Sequence, residues 1–261
     1  MVKIYAPKTA GIRGISVQLG DIEIYYEEYG EGRPLLLLHG FGGCSQNWLP
    51  FVADLEAHYR LIVVDLPGHG HSTNPRDTFT HRQAAIDVFS LLDELGIERF
   101  SAMGMSTGGM MLLHMATDQP ERIDSMVLIS ATTHFPAQAK AIMRRVSFDT
   151  MPPEVRDMYR ECAKRGDEQI RKLIRQFNAF HENDDDMNFN ARHLSTITAP
   201  TLIVHGDRDN FFPVEIAVNI YNTIPDAALW IIPHGDHVPI FNPDIPFAST
   251  ILKYLSGSYR G

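Results

Sequence analysis

Phe100-Ser101-Ala102-Met103-Gly104-Met105-Ser106-Thr107-Gly108-Gly109-Met110 is the stretch whose reading decides the fold. Phe100–Met103 reads as a strand and Met110 to Thr117 as a helix, with a G-x-S-x-G pattern between them. A strand that turns sharply into a helix around a serine holds that residue in a strained backbone conformation and aims its hydroxyl away from the sheet. Glycines at 104 and 108 leave room for such a turn. Ser106 then stands near a helix N-terminus, whose dipole favours developing negative charge. The plainer alternative is a glycine-rich turn with an incidental serine, and the strand–turn–helix context argues against it.

Outward from this turn the chain repeats a rhythm of short apolar runs followed by amphipathic stretches. The runs are Leu35–Leu38, Leu61–Val64, Ser101–Met103, Met126–Ile129, Thr201–Val204 and Leu229–Ile232. Runs this short and continuous suit strands covered on both faces. Ile15–Leu19 and Ile22–Tyr26 flank Gly20-Asp21 and read as an antiparallel hairpin at one edge. Ile86, Phe89 and Leu92 share a helical face, with Asp87, Ser90 and Asp93 off it. Pro213 suits a first helical turn ahead of Ala217, Ile220 and Tyr221, and residues 245–255 read as a closing helix. The alternation predicts an α/β fold: a mostly parallel sheet with helices on both faces.

The rhythm breaks once. Val155, Met158, Tyr159 and Cys162 follow i, i+3, i+4, i+7, as do Ile170, Leu173, Ile174 and Phe177, with no strand among them. Residues 133–198 are therefore expected to form an inserted helical cap, and 1–132 with 199–261 the core. The acidic tail of the insertion, Asp184-Asp185-Asp186, reads as a solvated loop rather than a cation site. Arg144, Arg145, Arg156, Arg160, Arg165, Arg171 and Arg175 mostly suit solvated helix faces, so no anionic substrate is inferred from them.

Composition excludes several classes. In 261 residues there are 23 basic and 32 acidic side chains, a net charge of −9. That balance repels phosphate backbones and argues against nucleic-acid binding. Hydrophobic residues at 44% are enough for a packed core. Cys44 and Cys162 lie far apart and form no C-x-x-C pair, so they read as two reduced thiols, with neither a disulfide framework nor a zinc site. Residues 1–14 carry no apolar signal core, and no run approaches the ~20 apolar residues of a membrane helix. The expected setting is cytoplasmic, without a membrane partner, as a monomer or homodimer.

A serine hydroxyl is a poor nucleophile at neutral pH and needs a base. His237 and His234 both follow the strand-like Leu229–Ile232, at the edge of the sheet where ligands bind, and position favours His237. The base in turn needs an acid to hold its tautomer. Asp207 and Asp209 follow Thr201–Val204; Asp209, further out, is favoured, with turn capping the alternative role for Asp207. Acyl transfer also needs donors for an oxyanion. The Thr107 amide, directly after the serine, is one, and the Phe41 amide in His39-Gly40-Phe41-Gly42-Gly43 is the other. Phe135, Met143 and Phe211, with Phe41, are candidates for an apolar substrate pocket, though each alone also fits ordinary core.

With these residues in view, the chain resembles the α/β-hydrolase superfamily from about Ile15 to Leu255. His39-Gly40-Phe41-Gly42 resembles the family's oxyanion loop, and Asp65-Leu66-Pro67-Gly68-His69-Gly70-His71-Ser72 its D-x-x-G-x-G-x-S turn. Gly104–Gly108 matches the nucleophile turn, Gly206-Asp207-Arg208-Asp209 with Pro213 the acid loop, and Gly235-Asp236-His237 with Pro239 the histidine loop. The resemblance implies an eight-stranded sheet with a helical cap over the site. It selects Asp209 and His237 over their neighbours and makes His69 and His71 turn residues rather than metal ligands. A serine here is unlike epoxide hydrolases and haloalkane dehalogenases, which place aspartate at this position. Thr107 departs from the tryptophan of proline iminopeptidases, and Met105 from the histidine of many relatives.

The expected activity is hydrolysis of small or medium carboxylic esters through an acyl-enzyme on Ser106, with no cofactor and no metal. The alternatives are a lactonase or C–C bond hydrolase with the same triad, a perhydrolase or cofactor-free haloperoxidase-like enzyme, and a non-enzymatic small-ligand receptor.

Overall fold

The short apolar runs become the interior strands of one sheet in the computed structural model, which describes residues 14–258. In chain order the elements are β1 (Ile15–Leu19), β2 (Ile22–Tyr29), β3 (Pro34–Leu38), α1 (Leu49–Leu55), β4 (Arg60–Val64), α2 (His81–Glu94), β5 (Phe100–Met105), α3 (Thr107–Asp118) and β6 (Ile123–Ile129). After these come α4 (Ala137–Met143), α5 (Pro153–Cys162), α6 (Gly166–Ala179) and α7 (Ala191–Leu194). The chain then returns to the sheet with β7 (Thr201–Gly206), α8 (Val214–Thr223), β8 (Ala227–Ile232) and α9 (Phe247–Leu255).

The eight strands lie in the order β1-β2-β4-β3-β5-β6-β7-β8. β1 and β2 form the antiparallel hairpin, β2 joins β4 antiparallel, and from β4 onward every pairing is parallel. Successive side chains alternate between faces, which splits the core in two. Leu36, Leu38, Ile62 and Val64 pack under α2, α3 and α8. Leu35, Leu37, Leu61, Val63, Met103 and Met105 pack under α1 and α9. β3 has β4 on one side and β5 on the other. The chain changes direction of winding there, so the loops after β3 and β5 diverge and open a crevice at the strands' C-terminal ends.

Several local expectations are corrected. Ile86 is 47% exposed while Asp87 is buried; Arg76 reaches Asp87 through two hydrogen bonds of 2.7 and 2.9 Å, and this paired charge takes the inward place the pattern assigned to Ile86. Pro213 caps α8 rather than opening it, and Tyr221 faces solvent. The closing helix starts at Phe247, after Pro246. Asp186 is not a solvated loop residue: buried, it accepts from the amides of His81 and Arg82 at 2.8 and 3.1 Å and pairs with the His81 ring, tying the end of the insertion to the start of α2. Arg165 is not on a solvated face either, because its guanidinium donates to the carbonyls of Gly68, Gly70, His71 and Ser72.

The largest correction concerns the cysteines. Cys44 and Cys162 are joined in a disulfide, with Cα atoms 5.4 Å apart across 118 residues of sequence. Such bridges are uncommon in a reducing cytoplasm, which weighs against the cytoplasmic expectation. Among the described residues no helix is long and apolar enough to cross a membrane. The signal-free reading of residues 1–14 falls, Gly14 apart, outside the described residues.

Candidate active site

Ser106 follows β5 and caps α3 with φ 49° and ψ −112°, a conformation that a residue bearing a Cβ rarely adopts. The strain is held from both sides. The Ser106 amide donates to the Ile129 carbonyl of β6 at 2.8 Å, and its carbonyl accepts from Met110 at 2.9 Å. Both flanking glycines are required by space. A Cβ at Gly104 would lie 2.4 Å from the Gly108 carbonyl carbon, and one at Gly108 would lie 2.3 Å from the Leu38 carbonyl oxygen.

His237 follows β8 and meets this serine. Its Nε2 is 3.0 Å from Ser106 Oγ, and its Nδ1 is 2.8 Å from Asp209 Oδ2. The other carboxylate oxygen, Oδ1, accepts the amides of Phe211 and Phe212 at 2.7 and 3.0 Å. Burial alone would raise the Asp209 carboxyl. The hydrogen bond and charge of His237, with the two amides, outweigh it and hold the group below the ordinary carboxylate range. An ionised Asp209 only accepts, so Nδ1 carries the ring proton and Nε2 is left as acceptor for the serine hydroxyl. The acid and histidine loops are pressed together: a Cβ at Gly206 would lie 2.2 Å from the Asp236 carbonyl oxygen. The rival candidates point elsewhere. His234 is an exposed turn residue at φ 56°, and Asp207 is exposed beside Arg208 at 3.9 Å.

The loop after β3 runs alongside Ser106; a Cβ on Gly40 would lie 3.6 Å from Ser106 Cβ. His39 fixes this loop, and its role is not evident from the sequence. Wholly buried, it donates from Nδ1 to the Gly40 carbonyl at 2.7 Å and accepts the Leu66 amide on Nε2 at 3.0 Å. Burial lowers the tendency of this imidazole to take a second proton, against the pull of Asp65. A peptide group is planar and trans, so pinning the Gly40 carbonyl also sets the direction of the Phe41 N–H. Among the described residues neither the Phe41 nor the Thr107 amide has an acceptor in the protein. His69 and His71 belong to the neighbouring turn: His69 Nδ1 bonds the Pro67 carbonyl at 3.1 Å, and His71 Nδ1 lies 3.3 Å from Asp65.

A cavity of about 230 Å³ opens over Ser106 and His237. Phe41, Phe135, Met143 and Phe211 all stand in its wall. So do Tyr159, Phe177, Phe180 and Phe212, none of which the sequence reading assigned to the pocket. Phe177 lay on a helical stripe, where it was indistinguishable from core; Phe180 gave no periodic signal. Met143, Tyr159, Phe177 and Phe180 come from α4, α5, α6 and the residue after α6, so helices between β6 and β7 roof the cavity. A larger groove of about 490 Å³ lies between the Gly68 turn and α6, but the nucleophile is not in it.

A model of the α/β-hydrolase fold matches residues 33–157. The chain is 24% identical over 260 residues to the 2-hydroxy-6-oxo-6-(2'-aminophenyl)hexa-2,4-dienoic acid hydrolase of Metapseudomonas resinovorans, covering 92% of this chain and 90% of that one. It is also 24% identical over 259 residues to the pimeloyl-[acyl-carrier protein] methyl ester esterase of Vibrio vulnificus, covering 89% and 98%. Among solved structures, a meta-cleavage product hydrolase from Pseudomonas fluorescens superposes with a TM-score of 0.81 at 20% identity, over 94% of this chain and 98% of that one.

Proposed function

The chain belongs to the α/β-hydrolase superfamily and is a hydrolase, and from that premise we propose that it cleaves carboxylic esters with small or medium, uncharged acyl groups through an acyl-enzyme on Ser106. Ser106 Oγ attacks the ester carbonyl while His237 Nε2, 3.0 Å away, takes its proton. The developing oxyanion is met by the Phe41 and Thr107 amides. His237 returns the proton to the departing alcohol, then activates the water that clears the acyl group. Asp209 keeps the ring oriented and stabilises its cationic form throughout. Helices α4 to α6 act as the cap that keeps bulk water from the acyl side.

The observation that carries the substrate class is the cavity wall. Apart from Ser106, Thr107 and His237 its side chains are aromatic or apolar, with no lysine or arginine. The dienoic acid named for the Metapseudomonas relative is a carboxylate at neutral pH. An unpaired carboxylate is costly to bury, so this pocket favours the ester reading over a C–C bond hydrolase acting on such acids. Its size fits as well: a cavity of about 150 Å³ holds a benzene molecule, so about 230 Å³ admits a butyryl or benzoyl group and not a long fatty chain.

The test is turnover of p-nitrophenyl butyrate and benzoate by the wild type and by Ser106→Ala. The expected result is loss of activity in the variant with an unchanged circular dichroism spectrum; retained activity refutes the reading. A peroxide- and bromide-dependent assay identifies a perhydrolase, and ligand-dependent melting shifts without turnover identify a receptor.

A further inference from the structure

Tyr159 belongs to neither the triad nor the pair of amides, yet its ring stands in the wall of the cavity that holds Ser106. It also bears directly on the loop after β3. A Cβ built on Gly42 would come within 2.5 Å of the Tyr159 ring, and Gly42 sits at φ 79°. Glycine at 42 therefore serves both the turn and the close approach of the phenol. Burial raises the phenol's pKa and keeps it neutral, as suits an apolar wall.

Tyr159 is carried by α5, a helix of ten residues. The apolar stripe of this helix is only half used, because Val155 is 38% exposed and Met158 67% exposed. Its inward edge is Tyr159 and, one turn on, Cys162. Cys162 is bonded to Cys44, two residues beyond Gly42. Two neighbouring points on α5 are thus fastened to two neighbouring points on the loop that supplies the Phe41 amide. One fastening is a contact between ring and backbone; the other is covalent.

We propose that Tyr159 is a specificity-determining residue that closes the acyl end of the pocket, and that the Cys44–Cys162 disulfide holds it in that position. The inference rests on the ester-hydrolase reading for its substrate. Reduction by a dithiol breaks the S–S bond, delivers two electrons and two protons to give two cysteine thiols, and leaves the reductant as its own cyclic disulfide. α5 then loses its covalent tie to the loop and keeps the ring contact. The Tyr159 wall yields, and acyl chains too long for the oxidised pocket enter.

The experiment compares kcat/KM for p-nitrophenyl octanoate and butyrate. Tyr159→Ala raises the octanoate-to-butyrate ratio by about tenfold or more, the scale on which a few methylenes in an apolar pocket are discriminated. Tyr159→Phe, which keeps the ring, retains the wild-type ratio. Dithiol-treated wild type and the double variant Cys44→Ser/Cys162→Ser shift the ratio the same way, and reduction adds nothing further in Tyr159→Ala. Labelling of Ser106 by short- and long-chain p-nitrophenyl alkylphosphonates gives the same ratio without turnover. A chain that hydrolyses no ester but shows the labelling shift therefore fails the ester reading and keeps this one. Should Tyr159→Ala not fold, the reduced wild type decides. A ratio that stays within about twofold after reduction, with two thiols titrated, overturns the proposal, as do two free thiols in air-purified protein.

Discussion

Replacing Asp209 by asparagine tests the reading of the triad through a single proton. Oδ1 of Asp209 accepts two amides, from Phe211 and Phe212 at 2.7 and 3.0 Å, so the asparagine carbonyl oxygen keeps that side. Its NH2 then takes the place of Oδ2, 2.8 Å from His237 Nδ1. An NH2 can only donate, so Nδ1 must become the acceptor and the ring proton moves to Nε2. There it faces Ser106 Oγ across 3.0 Å as a donor, and the serine has no base. Keeping the proton on Nδ1 instead sets two donors against each other in a site where the Asp209 side chain is fully buried. Either outcome also removes the negative charge that stabilises the imidazolium. The expected loss is about 10³- to 10⁴-fold in kcat, or roughly 4–5.5 kcal/mol at ~1.36 kcal/mol per decade. KM should change little, because Asp209 is not in the cavity wall. The assay is steady-state hydrolysis of p-nitrophenyl butyrate, with a urea melt to show that the fold persists. A variant within about tenfold of wild-type kcat, a small fraction of the loss expected for a reversed tautomer, would refute the assignment of Asp209 and with it the ring orientation deduced for His237.

Two further outcomes follow from buried positions outside the triad. Burial pushes the His114 imidazole down to about 4, while in the unfolded chain it titrates near ~6.5. The unfolded state therefore takes up the proton first, so the stability from the neutral ring is complete above ~6.5 and is lost as pH falls to about 4, a term of ~3 kcal/mol. His114→Gln, which keeps a donor for the Asp186 carbonyl, should flatten the fall of the urea midpoint across that window; an unchanged slope would count against the buried neutral histidine. Gly108→Ala drives a Cβ to 2.3 Å from the Leu38 carbonyl oxygen in an interior strand. It should cost about 1–3 kcal/mol or more, lower the melting temperature by at least a few degrees and slow phosphonate labelling of Ser106; a variant that melts and labels like the wild type contradicts the close packing of β3 on α3.

What the sequence disclosed and what it hid divide along one physical line. Patterns that depend on neighbours in the chain were legible. Apolar runs marked the strands because burial on both faces leaves no room for polar residues, and Gly104 and Gly108 marked the turn because a Cβ there meets backbone. Ser106, His237 and Asp209 were reachable for the same reason, since each sits at a fixed offset from the end of a strand. Pairings across long separations were not legible. Cys44 and Cys162 are 118 residues apart, and spacing alone could not tell two thiols from a bridge. Asp186 looked like part of an acidic loop until His81, 105 residues away, supplied its partner. Ile86 was placed inward by periodicity, which has no means of knowing that Arg76 neutralises Asp87 on the same helix. The pocket falls on the hidden side: Tyr159, Phe177 and Phe180 carry the same apolar signature as core residues, and only the way α5 and α6 lie over the cavity beside Ser106 turns them into a wall. The candidate reacting groups are thus written locally at strand ends, whereas the pocket wall depends on how the inserted helices dock, a docking to which the disulfide and the Asp186 contacts fasten the chain.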